Sequence, residues 1–530
     1  MAVNISSGRK CAFALGGELL WQPLLLFFLL MSSAVLRADS RGALEKAVDL
    51  VQQGRLQEAD EQARLALSNP QTRAGACSVL GTIRFQQKQL SESASFFQEA
   101  IKLNPRLLGA HLSLAEVYTL QGKQERAVTL FRQVLNLDSS NVTARLALAR
   151  AETEKGNYQK SLNLAKPVFP AFQQSPDGLL ILAADYARLH DRTAAAGLAN
   201  YWRQLTGIGP EWSIKFALLL AESGAVPQAI ETLERLKQNG PMSYELAFNL
   251  AGVYLLKNDL SRALDYYDEA LKLNPQALPA LHHAAGISEQ RSEFERALSY
   301  WIRAKKIDPD NPDVLLGFGR VCLKMDLLED AEPALSRAVS LRPDDPSYKF
   351  TLAAAKTGKR QFEAAQTLLE EILKGRESDS QLQYGLGAVL YLEGHLPDAT
   401  AHLRESIRLQ PDQVGSYYYL ALIARDQGND PEAIRILERL LQEHPVHSQA
   451  REVLGSLLMS AQQYPEAEHN LQEAVRLNPK SVKANYQLGL LLARMGKKEE
   501  SDKRLEIAKS LRKEDEETSR LQLRLLDPDQ

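Results

Sequence analysis

At 530 residues the chain has the length of three or four ordinary domains. It is 45% hydrophobic, 24% charged and 7% aromatic, with a formal net charge of −3, a balance that excludes the basic surface of a nucleic-acid binder. The cysteines, Cys11, Cys77 and Cys322, are too few for a disulfide framework or a zinc site and leave the redox compartment open.

In chain order the first element is a leader. Arg9 and Lys10 precede an apolar stretch that runs from Leu19 to Leu36, and small residues follow it. Ser32-Ser33-Ala34 offers a small-x-small cleavage site and Leu36-Arg37-Ala38 a looser one, so residues 1–38 read as a secretory signal peptide. The stretch also matches the shortest membrane spans, which keeps an uncleaved N-terminal anchor as the alternative, although Pro23 and the Ser32-Ser33 pair weaken a span. The expectation is an exported protein, periplasmic or secreted, or one held at the membrane by this segment. Cleavage would leave a mature chain beginning near Val35 or Asp39.

From residue 40 onward the sequence repeats. Pro241, Pro275, Pro309 and Pro343 are each 34 apart, as are Pro411, Pro445 and Pro479, with Glu377 standing where an intervening proline would fall. Stepping by 34 from Ala59 to Ser501 meets only Ala or Ser, and the series 12 residues upstream, from Ala47 to Gly489, meets only Ala or Gly. Such a pattern predicts an antiparallel helix pair in every period, with one small residue on each helix where the two backbones approach. Larger residues, among them Leu114, Tyr118, Phe131, Leu250, Tyr254, Tyr267 and Trp301, fill the spaces between. Gly54, Gly122, Gly156, Gly224, Gly394, Gly428 and Gly496 fall between the two helices, where glycine supplies a left-handed helix end. The prolines mark the boundary to the next pair.

This pattern resembles the tetratricopeptide repeat, whose signature is matched by Leu250-Ala251-Gly252-Val253-Tyr254, by Ala263 through Tyr267 and by Pro275. Ala247 stands where the signature has tryptophan. The resemblance implies an all-α fold: an α-solenoid of about 14 tandem helix-turn-helix repeats over residues 40–512, forming a superhelix. Units across 142–240 are the most diverged, with Lys166-Pro167-Val168-Phe169-Pro170 and Thr206-Gly207-Ile208-Gly209-Pro210 expected at helix ends. Residues 513–530 are expected to be a charged C-terminal cap and tail, in which Leu521 to Leu526 could dock as a short extra helix.

Chemistry is hard to find in the chain. No phosphate-binding loop, nucleophile elbow, zinc-protease, calcium-loop or dinucleotide fingerprint occurs. His282-His283 is the only adjacent histidine pair, and neighbours on a helix point in different directions. We therefore expect no catalytic residue, no cofactor and no metal. Asn141-Val142-Thr143 is a glycosylation sequon, relevant where the host glycosylates exported proteins.

The repeat family lines its concave face with the first helix of each pair. Carried over residue by residue, that places Phe248, Asn249, His282, His283, Phe350, Tyr384, Tyr391, Tyr418, Tyr419, Arg425 and Tyr486 on a partner-binding groove, with Ser113, Glu116 and Thr119 in the earlier units. The consecutive Lys and Asn set of a chaperone-tail clamp is missing, since only Asn249 and Lys483 fit it, and no asparagine ladder accompanies Asn249. The function so implied is a non-enzymatic scaffold or adaptor, exported to the cell envelope, that binds extended segments of other proteins. The alternative is a non-catalytic subunit of an envelope-assembly, protein-export or polysaccharide-export machine. Partners are proteins or peptides and not nucleic acid, with membrane contact only through an uncleaved leader.

Overall fold

The computed structural model describes residues 38–525, so the leader and its cleavage sites lie outside the described residues. Two compact units divide the chain, one up to Ala280 and one from Leu281. The first contains seven helix pairs, from Ala38–Gln52 with Leu56–Ala66 to Tyr244–Leu256 with Leu260–Leu273. The second begins within helix Leu278–Gln290, paired with Phe294–Ile307, and its seventh and last pair is Val482–Arg494 with Lys498–Leu525. Among the described residues there is no strand, and no helix is long and apolar enough to cross a membrane.

Why pairs form at these places follows from the small-residue register. Every member of both series is buried, with Ala59, Ala251, Ala263, Ala331 and Ala399 at zero exposure. Where the upstream member is glycine, the partner helix presses straight onto it. A Cβ on Gly319 would meet Leu335 Cγ at 2.5 Å, and one on Gly387 would meet Leu403 Cγ at 2.7 Å. At two of the three downstream serines the hydroxyl donates to the facing backbone, Ser93 to the Gly81 carbonyl and Ser501 to that of Gly489, both at 2.8 Å. Tyr267 and Trp301 are buried as the sequence predicts, and Trp301 Cζ2 lies 2.3 Å from where a Cβ on Gly317 of the next pair would sit.

The turn inside each pair needs one left-handed residue. Glycine supplies it at the seven predicted positions, with φ between 71° and 89°. At the equivalent place in the other pairs stand Lys88, His190, Asn258, Ser292, Asp326, Arg360 and Gln462, all at φ of 55–63°. For a residue with a Cβ that region costs about 1–2 kcal/mol. The sequence offers no glycine to flag these turns, yet the chain makes them because helix pairing on both sides dictates the connection.

Between pairs, a polar residue takes over from the missing signature tryptophan. At the position that Ala247 holds in its own unit, His111, Arg145, Gln383, Tyr417, Arg451 and Asn485 each bond the carbonyl six residues earlier, in the preceding loop, at 2.8–3.1 Å. Four of them also reach the second helix of their own pair, 19 residues on. Arg145 donates to the Leu164 carbonyl, Gln383 pairs with His402, Arg451 donates to Asn470, and Asn485 accepts from Arg504. All six satisfy a loop carbonyl that the helices cannot reach, and these four tie loop, first helix and second helix together.

The diverged stretch is irregular where its prolines predict. Helix Tyr158–Ala165 gives way to a 3₁₀ turn at Lys166–Val168 and a short helix Phe169–Gln173. Phe172 is fully buried, and a Cβ on Gly178 would meet its carbonyl oxygen at 2.4 Å. Asn141 of the sequon is 6% exposed and caps helix Val142–Glu154 by accepting from the Ala144 amide, so its side chain is engaged in the fold. At the C-terminus a single helix runs from Lys498 to Leu525, so residues 521–525 continue that helix and do not start a new one.

Replacing a left-handed non-glycine residue by glycine should stabilise its pair. Arg360→Gly is expected to raise stability by up to about 1 kcal/mol, whereas Gly394→Ala lowers it by about 1–2 kcal/mol. Urea unfolding checks both, and a loss of stability in Arg360→Gly would show that the turn carries no strain.

Candidate functional site

Two successive pairs of the second unit carry most of the expected groove aromatics. Tyr384 and Tyr391 lie on helix Ser380–Glu393, seven residues and hence about two turns apart on one face. Tyr418, Tyr419 and Arg425 lie on helix Val414–Asp426, and His447 caps the next first helix, Ser448–Ser460, by accepting from the Ala450 amide at 3.0 Å through Nδ1.

These side chains form one chain of rings. Tyr419 is its hub: Tyr384 lies 6.0 Å away between ring centroids, Tyr391 5.4 Å and Tyr418 5.8 Å, the last two edge-on. Tyr418 in turn stacks on His447 at 5.4 Å. Tyr384 and Tyr418, equivalent residues one period apart, are thus linked through Tyr419. All four tyrosines are half-buried and border the apolar cores of their pairs. Offset and edge-on pairs of this kind contribute about 0.5–1.5 kcal/mol each beyond area burial, which fixes the rings before any ligand arrives. Phe350 packs into the same core and comes within 3.5 Å of where a Cβ on Gly385 would sit.

Polar groups complete the row. The Tyr391 hydroxyl donates to Asp426 Oδ2 at 2.7 Å, and Arg425 donates to Asp426 Oδ1 through Nε and Nη2 at 2.9 and 2.8 Å. Burial pushes the Tyr384 and Tyr391 phenols up to about 12, with the Asp426 carboxylate adding to the effect on Tyr391. The row therefore presents neutral hydroxyls at physiological pH. Its one charged pair is balanced within the site.

The other expected residues make contacts of their own. His282 and His283 meet edge-on at 6.0 Å, and His282 also meets the buried Trp301 at 5.1 Å. Trp301 Nε1 donates to Glu289, which Arg320 grips with two bonds of 2.7 and 2.9 Å. Burial holds both imidazoles below their ordinary pKa. Phe248 and Asn249 belong to the first unit, where Phe248 packs on Tyr244 and Tyr267, and Asn249 donates to the Glu245 carbonyl. Tyr486 is 46% exposed. Ser113 is buried, Thr119 bonds back to Ala115, and burial raises the Glu116 carboxyl to about 7. Among the described residues no cluster of His, Cys, Asp or Glu is placed to hold a metal ion.

Sequence reasoning missed Asp426, Gly415 and His447. The first two fall on groove positions of the repeat and could have been found by carrying those positions through every unit. Gly415 matters because a Cβ there would lie 2.4 Å from Tyr384 Cε2, so its absence makes room for the ring. His447 sits in the loop between pairs, outside any groove position of the first helix, and carried no signal.

Several comparisons bear on this architecture. A family model described as the Cilia and flagella-associated protein 70 C-terminal domain matches residues 215–453. Models described as tetratricopeptide or TPR repeat match 74–107, 110–141 and 455–496. No curated protein matches the chain. Among solved structures it is similar to a tetratricopeptide repeat protein from Parabacteroides merdae, at 17% identity and TM-score 0.40, over 47% of this chain and 98% of that one. It is also similar to the APC/C hetero-tetramer Cut9–Hcn1, at 14% identity and TM-score 0.39, over 86% and 98% of the two chains. Yeast Tom70 is similar at 16% identity and TM-score 0.36, over 90% and 96%. With the small-residue register buried throughout and repeat models matching on both sides of the division, the chain belongs to the tetratricopeptide-repeat family.

Proposed function

We propose that the protein is a non-catalytic scaffold that holds an extended, uncharged segment of a partner protein against the tyrosine row of helices Ser380–Glu393 and Val414–Asp426. The carrying observation is the continuity of five packed rings, Tyr384, Tyr391, Tyr419, Tyr418 and His447, on consecutive repeats. Rings locked by one another lose little freedom on binding, and half-buried tyrosines offer apolar faces beside hydroxyls that reach backbone groups. Because Arg425 and Asp426 neutralise each other, the row favours apolar side chains over charged ones.

Export to the cell envelope is part of the same reading, supported by Arg9, Lys10 and the apolar stretch from Leu19 to Leu36. Sequencing of the purified protein should find an N-terminus near Val35 or Asp39. Full-length protein in the cytosol beginning at Met1 or Ala2 would refute export and leave the groove untouched.

Binding can be measured with a partner recovered from envelope fractions on the full chain. Changing Tyr384 and Tyr418 together to Ala should weaken that complex by about 2 kcal/mol or more while helicity is retained. Gly415→Ala should weaken it too, with melting nearly unchanged, because the new Cβ displaces only the far edge of the Tyr384 ring. Glu405→Ala and Arg408→Ala, which remove an exposed ion pair on a second helix, should do little. Binding that survives the tyrosine changes would place the ligand elsewhere.

A further inference from the structure

Asp185, on helix Pro176–Arg188 in the irregular part of the first unit, has zero exposure. Its Oδ1 lies 2.7 Å from Thr153 Oγ1 of helix Val142–Glu154, and its Oδ2 is buried without any hydrogen-bond partner. Thr153 Oγ1 is also 3.0 Å from Ser161 Oγ and 3.1 Å from the Ala149 carbonyl. Ser161 is a member of the small-residue register, and its counterparts Ser93 and Ser501 bond instead to the glycine carbonyl facing them. Three helices therefore meet at one carboxyl and two hydroxyls.

Counting protons shows which form of the acid fits. A neutral carboxyl donates its O–H to Thr153, which is then free to donate to the Ala149 carbonyl, and the remaining Oδ2 is an uncharged carbonyl oxygen. An ionised carboxylate must draw the single Thr153 proton away from Ala149 and still leaves a charged oxygen unsolvated, which is far more costly. Among the described residues no cation compensates. On the packed helices Arg150 is paired with Asp177, Glu152 with Arg132, and Arg188 with Glu222, while the adjacent Tyr186 phenol stays neutral.

We propose that Asp185 is a proton-operated lock on the junction of helices Val142–Glu154, Tyr158–Ala165 and Pro176–Arg188, closed when its carboxyl is neutral and loosened when it ionises. Burial pushes the carboxyl up to about 6, against the smaller opposing pull of the Ser161 and Thr153 hydroxyls. Because the folded value lies above the unfolded one, the stability it contributes is complete below about pH 4 and is lost as pH rises through about 6. The element released is already the least regular of its unit, since its second helix breaks at Lys166–Val168.

The test is amide hydrogen exchange of the full chain across residues 142–188, as protection factors corrected for the intrinsic pH dependence of exchange. Wild-type protection should fall about 10-fold between pH 5 and pH 8. Asp185→Asn should abolish that slope and match or exceed wild type at pH 8. A flat wild-type profile, or a slope retained in Asp185→Asn, would overturn the proposal. Should Asp185→Asn fail to fold, Thr153→Val decides. Losing a hydroxyl that pulls the carboxyl down must move the midpoint to higher pH, and a midpoint left where it was would overturn the proposal.

Discussion

Helix pairs in this protein are held by contacts that tolerate no side chain larger than a methyl group or a hydroxymethyl. At Gly319 and Gly387 even a methyl is excluded, because Leu335 and Leu403 occupy the space. This closeness sets the separation of the two helices in each pair, and the rest follows from it. Large residues such as Phe97, Tyr267 and Trp301 become fully buried only because the backbones beside them are near. The tyrosines of the binding row depend on the same constraint, since Tyr384 and Tyr391 are carried by the helix that contains Gly387, and Tyr418 and Tyr419 by the one that contains Ala421.

A second layer of design lies in the connections. The repeat signature has a tryptophan near the start of the first helix, and here several units place there a polar residue that reaches back six positions to a loop carbonyl. His111, Gln383 and Asn485 fix the connection with directed hydrogen bonds. Such bonds contribute about 1 kcal/mol each. The connection is thereby specified in geometry as well as in volume.

How much of this was legible in the sequence depends on period. The small-residue register, the glycine turns and the buried aromatics were readable because each recurs every 34 residues and has one physical cause. The left-handed Lys88, Arg360 and Gln462 were not, since their conformation is imposed by pairing and contradicts their own preference. In the binding row, Tyr384, Tyr391, Tyr418 and Tyr419 were found by position, but their arrangement around Tyr419 required knowing how one first helix packs on the next. His447 and Asp185 escaped for opposite reasons. One lies outside the repeat positions that line a groove, and the other is a charged residue that composition would place on the surface.

The central claim, that a close backbone crossing organises each pair, is tested most directly by asking whether the effect of one methyl changes sign. In the wild-type background Gly319→Ala should destabilise the protein, because the new Cβ would lie 2.5 Å from Leu335 Cγ. In a Leu335→Ala background the same change should stabilise it by up to about 1 kcal/mol, the ordinary helix preference of alanine over glycine. Equal effects in the two backgrounds, measured by urea unfolding, would mean that the pair has room to spare and that the small-residue register does not set its spacing.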